Sequence, residues 1–315
     1  MIIVKIFEGI GNQMFQYAYA RRQSLRYAIP FKLYIVNKKE SMPEMLSEID
    51  QQKYKVVRRW YENDSIHREY LLQSFNIEEN PASEVEVYDI INCNGGNFIE
   101  YKWKVLKNKI VPYYRKSIVK ENLKICFDRN LLKTKSNSYI EGYFTSELYF
   151  KDYAEVIKKD FAFRYQPSEI NCEKMQKMQQ KNSVCLSIRR GDFVNNPKHN
   201  VCSMNYYKKA IENLSRKIEN PFFYIFSDDN EWAKNNFTTE FPHEFVTHNF
   251  PNFIEDFRLM QSCKHHIIPN STFSWWAAWL GEQADSIIIA PKQWLHSDTI
   301  DYSRVVPDRW VKIDN

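Results

Sequence analysis

Two adjacent arginines followed by a glycine and an aspartate, Arg189-Arg190-Gly191-Asp192, could bind a diphosphate. A guanidinium group stays positively charged and can grip two oxygen atoms at once. Glycine lets the backbone approach a ligand closely, and Asp192 could orient an arginine or accept a proton. A surface cluster of ion pairs would use the same residue types. Because the group directly follows an apolar segment, we favour the diphosphate site.

A second polar group, Asn270-Ser271-Thr272-Phe273-Ser274, precedes an apolar stretch that is rich in tryptophan and predicts a helix. Helix N-termini offer unpaired N–H groups and a partial positive charge, which suit a phosphate. Plain N-capping would explain any one of these hydroxyls. Three hydroxyls in four residues exceed what a cap requires, so the group is a second candidate for phosphate binding. The tryptophans are expected to lie in the core.

A third group, Ser227-Asp228-Asp229, follows a strongly apolar segment. A carboxylate there could accept hydrogen bonds from a ribose diol or from guanine, although an Asx turn explains Asp229 equally well. The chain contains no Asp-x-Asp sequence, and its seven histidines form no ligand pattern. Its six cysteines include no Cys-x-x-Cys pair and are expected to be free thiols. The sequence therefore predicts no metal and no cofactor.

The fourth group, Glu8-Gly9-Ile10-Gly11-Asn12-Gln13, joins a predicted first strand to a predicted first helix. It falls short of the dinucleotide fingerprint, because Met14 stands where the third glycine should be. An ordinary strand-to-helix turn would also explain it. Such a turn could still bring Asn12 and backbone amides to a donor phosphate.

Apolar strands that alternate with helices predict a parallel α/β sheet covered on both faces. The predicted strands are 2–7, 31–36, 139–144, 184–188, 222–227, 265–268 and 287–290, and the predicted helices include 13–26, 150–163, 205–218 and 253–262. Ligands of such sheets bind beyond the carboxyl ends of the strands, where all four polar groups stand. The polar segment 164–182 is expected to cross between two domains, and Gly281 is expected to end the tryptophan-rich helix as a left-handed cap.

Length and charge narrow the function classes further. A chain of 315 residues is long enough for two domains, and its net charge of +5 is spread without a basic tail or stripe, so we expect no nucleic-acid partner. No stretch approaches 18 apolar residues, which predicts no transmembrane segment. The apolar start of the chain is short and holds Lys5, which favours a core strand over a signal peptide. We therefore expect a cytoplasmic protein, with peripheral association at the inner membrane face as an option.

Taken together, the four groups resemble the α-1,2-fucosyltransferases of glycosyltransferase family 11. The family's opening Gly-Leu-Gly-Asn-Gln-Met-Phe-Gln-Tyr-Ala matches residues 9–18, and its His-x-Arg-Arg-Gly-Asp-Tyr box matches residues 187–193. Its Phe-Ser-Asp-Asp box matches 226–229 and its Asn-Ser-Thr-Phe-Ser-Trp-Trp box matches 270–276, with a weaker echo at 142–147. Ser187 replaces the usual His, Phe193 the usual Tyr, and Glu8 a usual Gly.

The resemblance implies an α/β fold that is GT-B-like, with two Rossmann-like domains facing a cleft. We expect an acceptor-side domain at 1–165 and a GDP-fucose-binding domain at 166–315, with a C-terminal tail that could pack back on the first domain. The implied donor-binding residues are Gly9, Gly11, Asn12, Gln13, Ser227, Asp228, Asn270, Ser271, Thr272, Phe273 and Ser274. Arg189, Arg190 and Asp192 are the expected catalytic residues, and Glu8 and Asp192 are candidate bases.

The implied reaction transfers L-fucose from GDP-β-L-fucose, with inversion and without a metal, to O2 of a terminal galactose. The acceptor is then a galactose-terminated oligosaccharide or glycolipid, and residues 40–135 are expected to select it. Two alternatives stay open at this point. One is a fucosyltransferase that acts on a protein or a chitin-like acceptor, and the other is a non-catalytic protein that binds a GDP-sugar or a glycan.

Overall fold

The structure of the chain, a computed structural model, describes residues 1–35, 46–61, 68–92, 111–134 and 137–315. Within these ranges the side chains of Trp60, Tyr61, Asn92 and Asp192 are not described. The chain divides into two compact units, Met1–Arg164 and Tyr165–Asn315. The acceptor and donor roles that the sequence assigns to the two domains stay predictions.

A four-stranded parallel sheet forms the centre of the first unit. Its strands are β1 (Ile2–Ile6), β2 (Phe31–Ile35), β3 (Ile118–Lys120) and β4 (Ser138–Glu141). Their order across the sheet is β2-β1-β4-β3. Every residue of β1 is buried, as expected for an apolar run in the middle of a parallel sheet. Ile2 pairs with Phe31 on one side and with Ser138 on the other.

Helices cover this sheet. They are α1 (Ile10–Tyr27), α2 (Glu48–Tyr61), α3 (Glu84–Asn92) and α4 (Ala154–Asp160). Short 3₁₀ turns lie at Leu72–Ser74, Tyr113–Arg115, Arg129–Lys133, Glu147–Tyr149 and Lys151–Tyr153. The predicted helix 150–163 is thus shorter than expected. One small core of this unit joins the sheet to α2 and α3 through Ile3, Tyr34, Val57, Val87 and Tyr139.

The second unit is built on a six-stranded parallel sheet. Its strands are β5 (Asn182–Ile188), β6 (Pro221–Ser227), β7 (His243–Phe245), β8 (His265–Ile267), β9 (Ile288–Pro291) and β10 (Val311–Ile313). Its helices are α5 (Glu169–Gln179), α6 (Met204–Ser215), α7 (Asn230–Asn236), α8 (Phe253–Gln261) and α9 (Thr272–Gly281). The core on one face packs Val184, Leu186 and Ile188 with apolar residues of α6.

The strand order of this sheet, β10-β9-β8-β5-β6-β7, is that of a doubly wound Rossmann fold. The chain winds from β5 outward to β7, then crosses back to β8 and winds outward in the other direction. The connections that leave β5 and β8 therefore diverge, which opens a crevice at their carboxyl ends. In the first sheet, β1 and β4 are the two central strands, and β2 and β3 lie at the edges. The prediction of an α/β fold with two Rossmann-like halves is confirmed.

The segment 164–182, which the sequence predicts to cross between two domains, contains the boundary between the two units and is mostly helical, because α5 occupies most of it. Ser168 caps this helix by accepting a hydrogen bond from the Asn171 backbone N–H, and Asn171 and Met178 are fully buried. The helix escapes sequence inspection because polar residues cover most of its surface. Near the end of the chain, β10 pairs with β9 at one edge of the second sheet, and the predicted packing of a C-terminal tail on the first domain stays a prediction.

Gly281 does not act as a left-handed cap. It is the last residue of α9, and its backbone φ lies outside the left-handed region. A Cβ atom at this position would lie 2.3 Å from the backbone oxygen of Gln261, the last residue of α8. The glycine is needed because the ends of two helices touch through their backbones.

We expect Gly281→Ala to lower the free energy of unfolding by about 1–3 kcal/mol, because the added methyl group overpacks a rigid backbone contact. Chemical denaturation of the full chain measures this as a lower midpoint with an unchanged slope. Gly9→Ser is the matched control, since a Cβ there meets nothing nearer than 3.9 Å and serine is a favoured N-cap. Equal midpoints for Gly281→Ala and the wild type would contradict the close contact.

Candidate functional site

Three of the four polar groups lie at the carboxyl edge of the second sheet. Arg189 directly follows β5, Ser227 ends β6, and Asn270 to Ser274 lead from β8 into α9. Since β5 and β8 are neighbours, the groups that follow them flank the point where the winding direction changes. This is the position where doubly wound sheets bind their ligands.

The Arg189 side chain is fixed in direction by a carboxylate. One of its terminal nitrogens lies 2.9 Å from Oδ2 of Asp228, and the centre of its guanidinium lies 5.3 Å from the centre of the Phe193 ring. The side chain remains 28% exposed. An ion pair of this exposure contributes at most about 1 kcal/mol to stability. Its main effect is therefore to aim the guanidinium, which keeps its charge at the strand end.

Arg190 is held differently. Its Nε donates to Oδ2 of Asp229 at 3.2 Å, and its guanidinium lies 3.6 Å from the ring centre of Trp232. Its backbone N–H donates to Oδ1 of Asp228 at 2.8 Å. A cation–π contact and a charged hydrogen bond together secure this side chain against α7. The geometry thus gives Arg190 a structural task that the sequence did not predict.

The two aspartates at the end of β6 have partners within the protein. Asp228 divides its two oxygens between the Arg189 side chain and the Arg190 backbone. Asp229 caps α7 through the Trp232 backbone N–H and also pairs with Arg190. The Ser227 hydroxyl accepts from the Asp229 backbone N–H at 3.0 Å, which is the side-chain turn expected of such a sequence. These contacts favour bracing over contact with a ribose.

The glycine between the arginines and Asp192 is required by this brace. A Cβ atom at Gly191 would lie 2.5 Å from Oδ2 of Asp228, the atom that pairs with Arg189. Any larger residue would displace the carboxylate. The side chain of Asp192 lies outside the described part of the chain, so its predicted role as an acid–base residue stays a prediction.

The N-terminus of α9 carries hydroxyls that are not used for capping. Ser271 is the N-cap residue, yet its side chain makes no capping hydrogen bond. The Ser274 hydroxyl lies 2.8 Å from the Ser187 hydroxyl, and both residues are buried. This hydrogen bond ties β5 to α9 across the switch point. Thr272 and Phe273 are half-buried at the same helix end.

Asn270 has a structural task. It is buried, and its amide nitrogen donates to the backbone oxygens of His199 and Trp294, each at 2.9 Å. Both amide hydrogens are thereby used to join three loops. The predicted donor contact of this side chain stays a prediction. The tryptophans that follow it lie in the core, as expected: Trp275, Trp276 and Trp279 are buried.

The fourth polar group lies at the equivalent edge of the first sheet, after β1. Gly9 is the N-cap of α1 with extended backbone, and Gly11 is buried within the helix. Gln13 is 1% exposed and is fully engaged by backbone groups of Glu8, Glu69 and Leu71. These contacts give Gln13 a structural role, and its donor contact stays a prediction.

Glu8 is the most unusual residue of this edge. Its φ of 64° is left-handed, which is uncommon for a glutamate. Its Oε1 accepts from the Tyr143 hydroxyl at 2.6 Å, and its Oε2 accepts from the Asn12 amide at 2.9 Å. Tyr143 follows β4, the neighbour of β1. The first sheet thus also brings polar groups from adjacent strand ends together, here around a carboxylate.

The sequence motifs do not point to Glu121, the carboxylate that binds the backbone of Tyr143. Glu121 is buried one residue beyond β3 and accepts hydrogen bonds from the backbone N–H groups of Tyr143 and Phe144. Burial raises the pKa of Glu121 to about 7. A lone glutamate next to Lys120 in a weakly apolar segment gave no signal, because its partners are more than 20 positions away.

Two adjacent histidines, His265 and His266, open β8 and are buried. Burial lowers the pKa of His266 to about 3, so the ring is neutral at physiological pH. Across the described ranges, no group of three or more His, Cys, Asp or Glu side chains is placed to hold a metal ion. Within the same ranges, no helix has both the length and the apolar content needed to cross a bilayer.

Comparison with known proteins gives relatives of one kind. An α-1,2-colitosyltransferase of Escherichia coli is 28% identical over all of this chain and 99% of its own length. The O-antigen biosynthesis glycosyltransferase WbnK of the same species is 37% identical over 42% of this chain and 45% of its own. The fucosyltransferase NodZ from Bradyrhizobium superposes with a TM-score of 0.41 at 12% identity, covering 88% of this chain and 92% of NodZ.

The family model for glycosyl transferase family 11 matches residues 102–314. The match spans the second unit up to residue 314 and the part of the first that contains Glu121 and Tyr143. It includes the strand-end groups around Arg189, Asp228 and Ser271. The resemblance that the sequence motifs indicate is thereby confirmed, and the chain belongs to glycosyl transferase family 11.

Proposed function

We propose that this enzyme transfers L-fucose from GDP-β-L-fucose, with inversion, to O2 of a terminal galactose in an oligosaccharide or glycolipid. The family membership and the relatives named above support a glycosyltransferase of this kind. A mouse galactoside α-(1,2)-fucosyltransferase 2 is also similar, at 29% identity over 34% of this chain and 32% of its own. The donor, the acceptor and the inversion are our proposal.

The position of Arg189 carries this proposal. Departure of GDP places negative charge on the β-phosphate while the fucose becomes positively charged at C1. A guanidinium that is aimed in advance by Asp228 can meet this charge without reorganising, which is how preorganised donors lower a barrier. The N-terminus of α9 ends at the same switch point and adds N–H groups and a partial positive charge.

We propose that these groups take the place of a divalent cation. Transfer to a hydroxyl by direct displacement also needs a base. Glu8 and Asp192 are the two candidates, and Glu8 is the one whose hydrogen bonds are described. Arg190 contributes indirectly. Its side chain binds Asp229 at the start of α7, and its backbone N–H donates to Asp228, which positions Arg189.

A second candidate is colitosyl transfer. The relative that aligns with the entire chain is named for that sugar, whereas the named fucosyltransferase of mouse aligns over a third of it. The same charged groups would serve either sugar, because the departing diphosphate is the same if both sugars are carried on GDP. The donor must therefore be tested directly.

The proposal is tested by GDP release from GDP-fucose and GDP-colitose with a panel of β-galactosides. We expect release only when a galactoside is present, with a new α-1,2 linkage in the product by NMR. Chitin oligosaccharides and acceptor peptides serve as the contrasting substrates. GDP binding without release from any combination would indicate a non-catalytic sugar-nucleotide binder.

We expect turnover to be unchanged by EDTA, since fixed positive groups of the protein stabilise the leaving diphosphate. The measurement is the rate of GDP release with EDTA and after manganese is added back. Loss of activity on chelation and its return with manganese would contradict the proposed role of the protein charges.

We expect Arg189→Ala to lower kcat by about 10²–10³, because one preorganised donor to the developing charge is lost. Arg189→Lys should fail nearly as badly, since an ammonium keeps the charge but cannot hold Asp228 and a phosphate with a rigid fork. Steady-state kinetics with saturating donor give both values, and circular dichroism checks the fold.

Arg190→Lys is the matched comparison, because it makes the same change one residue away in a side chain that stacks on Trp232. Arg190→Lys should lower kcat clearly less than Arg189→Lys does, and it should lower the free energy of unfolding more. Equal losses in the two lysine variants would show that the geometry does not separate the roles of the arginines.

A further inference from the structure

The turn after β4 is built on a buried carboxylate. Oε2 of Glu121 accepts from the backbone N–H of Tyr143 at 2.6 Å and from that of Phe144 at 3.0 Å. Its Oε1 accepts from the Tyr149 hydroxyl at 3.2 Å. A carboxylate that receives two successive backbone N–H groups fixes the path of the chain through that turn.

The turn fits this carboxylate closely. A Cβ atom at Gly142 would lie 2.6 Å from Cβ of Glu121 and 2.8 Å from its Oε2, so only glycine can pass there. Phe144 has a left-handed φ of 53°, and its ring stacks on the Tyr19 ring at 4.0 Å between centres. Left-handed backbone at a phenylalanine costs about 1–3 kcal/mol and persists only where its surroundings impose it.

This arrangement fixes the position of the Tyr143 hydroxyl. Tyr143 packs edge-on against the Phe7 ring at 5.1 Å, and its hydroxyl donates to Oε1 of Glu8 at 2.6 Å. Glu8 itself has left-handed backbone and is held on its other oxygen by Asn12. Strained residues thus stand at both neighbouring strand ends, and each is held by hydrogen bonds.

We propose that Glu121 is a positioning residue for transfer, acting through the turn and the Tyr143 hydroxyl to hold the Glu8 carboxylate in place. This rests on the proposed function, in which Glu8 is a candidate base for the acceptor hydroxyl. Glu121 itself contacts no substrate in this scheme. Its whole effect passes through the hydrogen bond between Tyr143 and Glu8.

The ionised form of Glu121 is the one that its surroundings fit. The contacts described for it come from three donors, and the Tyr149 hydroxyl that donates to it also accepts from the Asp128 backbone N–H. A proton on the carboxyl removes the negative charge that these three donors share and so weakens their hydrogen bonds. The titratable side chains that face it are Asp128 beyond β3, Tyr149 beyond β4 and Tyr19 on α1.

Burial opposes that charge and raises the pKa of Glu121 from 4.5 to about 7. The carboxyl is therefore ionised above this pH and neutral below it. As the pH falls through about 7 the turn loses its best acceptor. Transfer should decline over the same range. The free energy of unfolding depends on pH in the opposite direction. Because the folded chain binds the proton of Glu121 more tightly than the unfolded chain, this free energy falls as the pH rises from 4.5 towards 7.

The experiment compares the wild type, Glu121→Gln, Tyr143→Phe and the double variant by kcat/KM between pH 5.5 and 8.5, with the acceptor galactoside and saturating donor. At pH 8 each single variant should lose about tenfold or more, because a small displacement of a reacting group is costly. The double variant should lose no more than the worse single one, since both act on one hydrogen bond. In both single variants, kcat/KM should no longer fall as the pH is lowered through about 7.

Asp160→Asn is the matched control. It neutralises a partly buried carboxylate of the same unit that lies outside residues 40–135, and its described partners are Tyr17 and Arg21 and not the turn. It should keep wild-type activity and the wild-type pH profile. If Glu121→Gln fails to fold, the profile of Tyr143→Phe still decides, because a persisting limb near pH 7 would show that Glu121 does not act through that hydroxyl.

The two proposals fail in different ways. A wild type that releases no GDP with any donor and acceptor overturns the proposed function and this inference with it. An active wild type whose single-variant losses multiply in the double variant overturns the inference alone. So does an acid limb that is unchanged in Tyr143→Phe.

Discussion

The ion pair between Arg189 and Asp228 is the interaction on which the proposed chemistry of the second unit depends. It joins the ends of two adjacent parallel strands, and its 2.9 Å contact holds a guanidinium that would otherwise sample many directions. At this exposure the pair adds little to stability, so its value is orientation. Gly191 follows from it, because any side chain there would enter the space of the Asp228 carboxylate. The grip of Asp229 and Trp232 on Arg190 follows as well, since the Arg190 backbone N–H holds the other oxygen of Asp228.

The same principle recurs in the first unit with the charge reversed. There the fixed group is a carboxylate, Glu8, and a residue from the neighbouring strand end holds it through a hydroxyl. In both sheets, a polar side chain that follows the adjacent strand fixes the charged group that stands at a strand end. Each sheet therefore supplies one aimed charge, positive in the second unit and negative in the first.

The strand ends were predictable, whereas the partners of each side chain were not. Buried parallel strands such as 184–188 and 222–227 are continuous apolar runs, so the polar groups after them are visible in the sequence. The brace between residues 189 and 228 depends on strand order, which no local pattern encodes. Asn270 and Gln13 have the residue types of a binding site, but their amides are consumed by backbone groups. Helix α5 was missed because most of its surface is polar. Part of the predicted acceptor region 40–135 lies outside the described residues.

The polar cluster around Glu8 in the first unit costs folding free energy. Glu8 and Phe144 both adopt left-handed backbone, at about 1–3 kcal/mol each, and a buried ionised Glu121 adds a further penalty. A chain selected for stability alone would place glycine at 8 and 144 and an apolar residue at 121. Retaining all three penalties within one hydrogen-bonded chain, from Glu121 through the turn to Tyr143 and Glu8, requires a compensating benefit. Glu121 accepts two backbone N–H groups and a hydroxyl, and these three hydrogen bonds offset part of the cost of its burial while they hold the turn. In the proposed reaction a rigid turn is of use, because it ends in a hydroxyl placed 2.6 Å from the carboxylate of Glu8, a candidate base.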